Sequence, residues 1–224
     1  MNDKWRPALA ELVGTFAFVF IGAGSIVADS YTHGGVGLIG IALAHGLMLA
    51  IVVSIFGAVS GGHINPAVTV GAWIAGKVDR LTVVFYIAAQ LIGGGLAGFL
   101  LRGLFPEAAW LPVHLGTPAL AAGVSPAAGL VLEAVLTFFL MLAVLGTAMD
   151  SKAPKIGGFG IGLTVGADIL VGGPLTGAAM NPARLFGPAL ACGFWENHWL
   201  YWVGPIAGAA FASWVYTRWI SKTI

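Results

Sequence analysis

Six uninterrupted apolar runs set the strongest constraint on how this chain of 224 residues can fold. Each run has about the 20 residues that a helix needs to cross a hydrocarbon core roughly 30 Å thick. The apolar residues are continuous rather than alternating, which argues against a membrane β-barrel. We therefore predict six membrane-spanning helices in a single domain over residues 1–224. The predicted spans are residues 7–29, 36–58, 81–104, 126–149, 156–175 and 198–220.

The composition supports a membrane protein and excludes several other classes. Charged residues make up 8% of the chain and hydrophobic residues 58%, whereas a soluble domain is about 25% charged. High hydrophobicity excludes intrinsic disorder, and a net charge of +1 provides no basic field for nucleic acid. The single cysteine, Cys192, excludes an internal disulfide and a cysteine-rich metal site. We predict no cofactor, no metal and no nucleic-acid partner.

The positive charges predict the orientation in the bilayer. The side that holds both termini carries Lys4, Arg6, Lys77, Arg80, Lys152, Lys155, Arg218 and Lys222. Only Arg102 and Arg184 fall elsewhere. Because positive residues are enriched on the cytoplasmic side of membrane proteins, both termini are expected there. The compact chain and its short termini favour a cell membrane, plasma or inner.

Residues of the first half recur in the second half in the same order. Glu11-Leu-Val-Gly-Thr15-Phe16 recurs as Glu133-Ala-Val-Leu-Thr137-Phe138, Asn65-Pro66-Ala67 as Asn181-Pro182-Ala183, and Gln90-x-x-Gly93 as Pro205-x-x-Gly208. Each half contains three spans, so the second half begins on the opposite side of the membrane. The sequence predicts an inverted repeat, with halves at residues 1–110 and 126–224. Such repeats place their functional site near the midplane, at broken helices.

The repeated Asn-Pro-Ala segments predict two short helices that begin inside the membrane. Proline suits the first helical turn and asparagine is a strong N-cap, so helices are expected at about 66–76 and 182–191. They lie in two apolar stretches, 60–76 and 174–193, that are too short to cross and indicate re-entrant segments. One copy alone would indicate no more than a helix cap. Two copies entering from opposite faces bring two helix N-termini together.

Facing N-termini have chemistry that suits a water pore rather than catalysis. Each carries roughly half a positive charge, which repels cations. The amides of Asn65 and Asn181 can both donate to one water oxygen, and the resulting orientation interrupts a proton wire. The preceding backbone cannot face lipid. We therefore expect pore-lining carbonyls at Gly61, Gly62, His63 and Ala179.

These motifs identify the chain as resembling the aquaporin (major intrinsic protein) family. The segments that carry the resemblance are Ser60-Gly-Gly-His-Ile-Asn-Pro-Ala-Val-Thr69 and Gly177-Ala-Ala-Met-Asn-Pro-Ala-Arg184. The resemblance extends from Glu11 to Trp214. It implies an all-α membrane fold with six spanning helices and two re-entrant half-helices. It also implies passive conduction through each subunit of a homotetramer in the lipid bilayer.

The resemblance further implies a selectivity filter at His45, Ile169, Ala178 and Arg184. A positive charge near the membrane midplane costs free energy and is usually functional, which supports the assignment of Arg184 to the filter. Ile169 and Ala178 offer no hydrogen bonds, and strict water channels of the family carry a histidine at the position of Ile169. The ring resembles that of plant vacuolar (tonoplast) aquaporins, many of which also pass ammonia or urea. Water is the expected permeant, and ammonia, urea and other small neutral solutes are additional candidates.

Four other functions compete with a water channel as interpretations of the sequence. Glycerol facilitators carry an aspartate where this chain has Leu185 and a basic residue where it has Ala189, so a glycerol-type facilitator is the less favoured alternative. A structural membrane protein with a closed pore is another. An ion-coupled transporter would need a titrating charge in the membrane, for which Asp168 is the candidate. The sequence carries no catalytic motif of an intramembrane enzyme.

Four further polar residues receive predicted roles. The resemblance implies that Glu11 and Glu133 accept hydrogen bonds from the re-entrant loops and so support them. Asp168, inside a span, could brace the outer loop, line the pore mouth or lie at a subunit contact. His114 could extend the filter from its loop, although an exposed loop position is the alternative.

Overall fold

The computed structural model describes residues 5–154 and 156–221, and this part of the chain contains helices and no strands. The main helices are α1 (Trp5–Tyr31), α2 (Gly37–Ser60), α3 (Pro66–Ile74), α4 (Arg80–Leu104), α5 (Glu107–Trp110), α6 (Pro126–Val144), α7 (Gly157–Thr176), α8 (Pro182–Cys192) and α9 (Leu200–Val215). A 3₁₀ turn covers His114–Gly116, and π-helical turns at Leu145–Met149 and Tyr216–Ile220 extend α6 and α9.

The six predicted spans are confirmed as helices. Within the described residues, five are long and apolar enough to cross a membrane: α1, α2, α4, α6 with its π turn, and α7. The sixth predicted span, 198–220, forms α9 and its π-helical extension. At 1.5 Å per residue, a helix of about 20 residues is roughly 30 Å long, the thickness of the hydrocarbon core.

The spanning helices pack through small residues that bring their backbones together. The most extensive contacts pair α2 with α7, α1 with α4, and α6 with α9. A Cβ added to Gly46 of α2 would lie 2.6 Å from the carbonyl oxygen of Gly162 in α7. No side chain fits there, and small residues at such crossings are typical of membrane helices.

Most of the basic residues in the described part of the chain lie at one end of the bundle, which we call the basic end. Arg6 and Arg80 lie at the starts of α1 and α4, Lys152 lies between α6 and α7, and Arg218 lies beyond α9. Lys4, Lys155 and Lys222, which also entered the charge prediction, lie outside the described residues. The opposite end, where α4 and α7 terminate, we call the filter end.

Candidate functional site

The predicted half-helices α3 and α8 begin at the two Asn-Pro pairs. Asn65 and Asn181 have extended backbones, and each side-chain oxygen accepts a hydrogen bond from the amide two residues on, at 2.8 and 3.0 Å respectively. Pro66 and Pro182 occupy the first helical positions. The local sequence thus starts both helices as predicted, because cap and proline satisfy the first turn.

The two half-helices meet through their asparagine amides. Asn65 Nδ2 donates to the carbonyl of Met180 at 2.8 Å, and Asn181 Nδ2 donates to the carbonyl of Ile64 at 2.9 Å. An amide nitrogen carries two donors, so each asparagine keeps one N–H after this crossed pair is made. Both residues are 3% exposed, and both line the central cavity.

The central cavity is narrow, with a volume of about 20 Å³. A water needs roughly 10–15 Å³ of such space, so water molecules would pass in single file. The lining includes residues of the two loops, namely Gly62, His63, Ala179 and Met180. The remainder is mostly apolar: Phe18, Leu49, Val53, Val68, Leu140, Val144, Ile161 and Val165. Gly61, which was predicted with the carbonyl residues, caps α2 with φ of 89° and is not among the residues that line this cavity.

Glu11 and Glu133 each lie fully buried behind one re-entrant loop. The carboxylate of Glu11 accepts from the Ser60 hydroxyl at 2.6 Å and from the amides of His63 and Ile64 at 2.9 and 2.6 Å. These bonds tie the loop to α1. They are the contacts expected of a loop-supporting carboxylate.

The carboxylate of Glu133 repeats this pattern in the second half. It accepts from the Thr176 hydroxyl at 2.7 Å and from the amides of Ala179 and Met180 at 2.9 and 2.8 Å. The loop that carries the second Asn-Pro-Ala motif is therefore tied to α6 as the first is tied to α1.

Arg184 and His45 contact each other toward the filter end, at the predicted selectivity filter, which we call the constriction. Both are almost completely buried, at 1% and 2% exposure. Arg184 Nε and Nη2 each lie 3.3 Å from His45 Nε2, and Nη1 donates to the carbonyl of Gly116 at 2.6 Å. His45 Nδ1 is 2.9 Å from the carbonyl of Ile41, so it carries the ring proton. Nε2 is then the acceptor, and the imidazole is neutral.

The other predicted filter residues, Ile169 and Ala178, are buried apolar groups beside this pair. Ile169 and His45 line both the central cavity and a second cavity of about 200 Å³ at the filter end. Ala178 lines the central cavity, and Arg184 lines the second. The four residues therefore lie around the junction of the two cavities, where His45 and Arg184 are polar and Ile169 and Ala178 are apolar.

Sequence reasoning missed three residues that hold the polar side in place. A Cβ on Gly22 of α1 would lie 2.6 Å from His45 Nε2, and the rings of His45 and Phe18 form a T-shaped pair with centroids 5.8 Å apart. The carbonyl of Gly116 is an acceptor for Arg184. No local motif marks these positions, because each role depends on what lies opposite in space.

His114 and Asp168 lie apart from both cavities. The His114 ring stacks on Phe194, with centroids 3.8 Å apart and planes 8° apart, and it is not among the lining of the second cavity. Asp168 is 7% exposed, and within the described residues its Oδ2 has no hydrogen-bond partner. In the same part of the chain, no group of three His, Cys, Asp or Glu side chains is placed to hold a metal ion.

Comparisons with known proteins agree with this geometry. The family model described as Major intrinsic protein matches residues 1–216. Among curated relatives, the chain is 49% identical to aquaporin TIP4-4 of Zea mays, covering 94% of this chain and 85% of the relative. It is 47% identical to the probable aquaporin TIP3-2 of Arabidopsis thaliana (99% and 86%) and to aquaporin TIP1-2 of Zea mays (96% and 85%).

A solved structure supports the fold independently of close sequence similarity. The aquaglyceroporin from Plasmodium falciparum superposes with a TM-score of 0.86 at 24% identity, covering 98% of each chain. The three relatives above are of the TIP type, the tonoplast group, so the expected plasma membrane is not supported.

Proposed function

We propose a water path for this chain, which belongs to the major intrinsic protein family, a family of channels rather than enzymes. The chain is a passive water channel in a membrane that it crosses several times. The proposed path runs past His45 and Arg184 and then between Asn65 and Asn181. The observation that carries this path is the crossed pair of asparagine amides beside a cavity wide enough for single water molecules. Most residues that line the cavity are apolar, so water is guided without being held tightly.

Charge at two levels would exclude ions and protons from this path. Arg184 places a positive charge at the constriction, where it repels cations strongly because little water is present to screen the charge. The N-termini of α3 and α8 add roughly half a positive charge each at the asparagine pair. One free N–H on Asn65 and one on Asn181 would donate to the same water oxygen, which turns its hydrogens outward and interrupts proton transfer.

We further propose that the constriction passes ammonia together with water. Ile169 and Ala178 give the permeant no hydrogen bond, and His45 Nε2 is already an acceptor for Arg184. A molecule at this point therefore loses part of its hydration without full replacement, and a lost hydrogen bond costs free energy. Ammonia forms weaker hydrogen bonds than water and pays less for this loss. Glycerol requires more width and more donors than this ring offers.

Stopped-flow light scattering on proteoliposomes tests both proposals. Ile169→His adds a donor to the apolar wall, and Ile169→Val is the matched control that keeps it apolar. We expect wild-type protein and the valine variant to pass water and ammonia, and the histidine variant to lose ammonia flux relative to water. Equal ammonia-to-water ratios in all three would refute the role of Ile169. Glycerol influx would favour the glycerol-type facilitator, and no flux above empty liposomes would favour a structural protein with a closed pore.

We also propose the topology and the assembly. The basic end carries Arg6, Arg80, Lys152 and Arg218, so the positive-inside rule places it and both termini in the cytoplasm. The proposed pore lies within one chain, so a homotetramer would hold four independent pores. Protease protection of terminal tags would test the orientation, and native mass spectrometry would test the tetramer.

A further inference from the structure

Two buried tyrosines hold the ends of the helices that lead into the re-entrant loops. Tyr86 of α4 donates its hydroxyl to the carbonyl of Ser60 at 2.8 Å, and Tyr201 of α9 donates to the carbonyl of Thr176 at 2.8 Å. Ser60 and Thr176 are the last residues of α2 and α7. The tyrosines are 115 positions apart, the same offset that relates Gln90 to Pro205. They are equivalent positions of the two halves.

These hydroxyls satisfy carbonyls that the helices themselves cannot satisfy. The last carbonyls of a helix have no intrahelical donor, and the membrane interior supplies no bulk water to replace one. The chain then turns at Gly61 and Gly177, whose φ angles of 89° and 80° are left-handed. Each tyrosine therefore fixes the point from which a loop departs. In the second half, Ala178 of the filter is the next residue after that turn.

The two loops differ in how much other polar support they receive. In the first half, Gln90 Nε2 donates to Glu11 Oε2 at 2.8 Å and to the Thr69 hydroxyl at 3.0 Å. The equivalent positions in the second half are Pro205 and Leu185, which donate no such bonds.

An apolar cluster replaces this polar network behind the second loop. It consists of Ala179, Leu185, Leu200 and Tyr201, all at most 3% exposed. Apolar packing is less directional than hydrogen bonding. The Tyr201 hydroxyl therefore contributes a larger share to the positioning of the second loop than the Tyr86 hydroxyl contributes to that of the first.

We propose that Tyr201 is a positioning residue that sets the solute selectivity of the channel. Its hydroxyl fixes the carbonyl of Thr176 and so holds Ala178 at the distance from Arg184 that excludes solutes larger than ammonia. Tyr86 performs the same task for a loop that contributes no filter residue. This inference rests on the proposed filter and adds to it a residue that touches no permeant.

The matched variants Tyr201→Phe and Tyr86→Phe in the full chain test this role, because each removes one hydroxyl and keeps the ring. Water, ammonia and urea fluxes would be measured in proteoliposomes prepared from size-exclusion-purified protein. In Tyr201→Phe we expect the urea-to-water ratio to rise about threefold to tenfold, the range that loss of one hydrogen bond can produce. In Tyr86→Phe the ratio stays at the wild-type value. Amide hydrogen exchange at Ala178 and Ala179 should increase in Tyr201→Phe alone.

Each outcome of these measurements either supports or overturns the proposed role of Tyr201. An unchanged urea-to-water ratio in Tyr201→Phe, with the protein folded and conducting water, overturns the proposal. Equal changes in both variants, or loss of folded protein in Tyr201→Phe alone, also overturn it, because the hydroxyl would then support the fold rather than the filter. Failure of wild-type protein to pass ammonia would refute the proposed ammonia permeation. A urea leak confined to Tyr201→Phe would still support the positioning role.

Discussion

Gly22→Ala provides a direct test of whether His45 stands in the water path. The added Cβ would lie 2.6 Å from both Cδ2 and Nε2 of His45, whereas carbon atoms in favourable contact lie about 3.5–4.0 Å apart. The imidazole would therefore retreat by about 1 Å. It is held at both ends, by the carbonyl of Ile41 at 2.9 Å and by Arg184 at 3.3 Å. The ring can move only by breaking one of these contacts or by shifting into the proposed water path.

The size of the effect follows from the strain and from the narrowness of the path. Overpacking a well-packed site costs about 1–3 kcal/mol. If about 1.4 kcal/mol of this appears as a higher barrier at the constriction, water permeability falls about tenfold. The central cavity holds about 20 Å³, so a displacement of 1 Å removes a large part of the space for one water. We expect the activation energy of water flux to rise as well.

The assay is stopped-flow osmotic shrinkage of proteoliposomes, with Gly57→Ala as the matched control. Gly57 lies in α2, as His45 does, and a Cβ there would meet no atom within 4 Å. The control should conduct like the wild type, and its helix should gain about 0.5–1 kcal/mol of stability from the lost glycine. If Gly22→Ala is folded and conducts water at the wild-type rate and activation energy, the placement of His45 at the constriction is wrong.

Three further predictions concern buried charges. Arg184→Val removes the cation of the constriction and should admit urea and small cations, measured as solute influx and ionic conductance; unchanged solute exclusion would refute the filter assignment. Glu133→Gln places a side-chain N–H opposite the backbone amide donors of the second loop and should lower the free energy of unfolding by about 1–3 kcal/mol. The measurement is a lower melting temperature, and Glu11→Gln should be comparably destabilised. Asp168→Asn removes a buried charge without a described partner and should keep water flux and raise the melting temperature, whereas lower stability would indicate a partner at a subunit contact.

The sequence predicted the elements of the fold because each prediction depended on local chemistry. Apolar length determines a span, and an Asn-Pro pair determines where a half-helix starts, so α3 and α8 begin at Pro66 and Pro182 as expected. In both cases the interacting groups are specified by residue type and spacing alone. The loop contacts of Glu11 and Glu133 were implied instead by the family resemblance.

The details of the filter could not be predicted, because they depend on how helices cross. His45 and Arg184 are 139 residues apart, and their contact requires a position for Gly22 that only the packing of α1 against α2 provides. The acceptor for Arg184 is a backbone carbonyl, of Gly116, and every residue type offers one. The stacking of His114 on Phe194 likewise depends on the path of a loop that no periodicity describes.

The two halves differ in function because equivalent backbone positions carry different side chains. The third residue after the repeated asparagine is Val68 in the first half and Arg184 in the second. The backbone around both is held alike, by a buried glutamate on one side and a tyrosine on the other. Because the halves are inverted, the two positions lie on opposite sides of the asparagine pair. One arginine therefore charges one side of the path alone, so substitution of Arg184 should change selectivity, whereas substitution of Val68 should change mainly the rate of water flux.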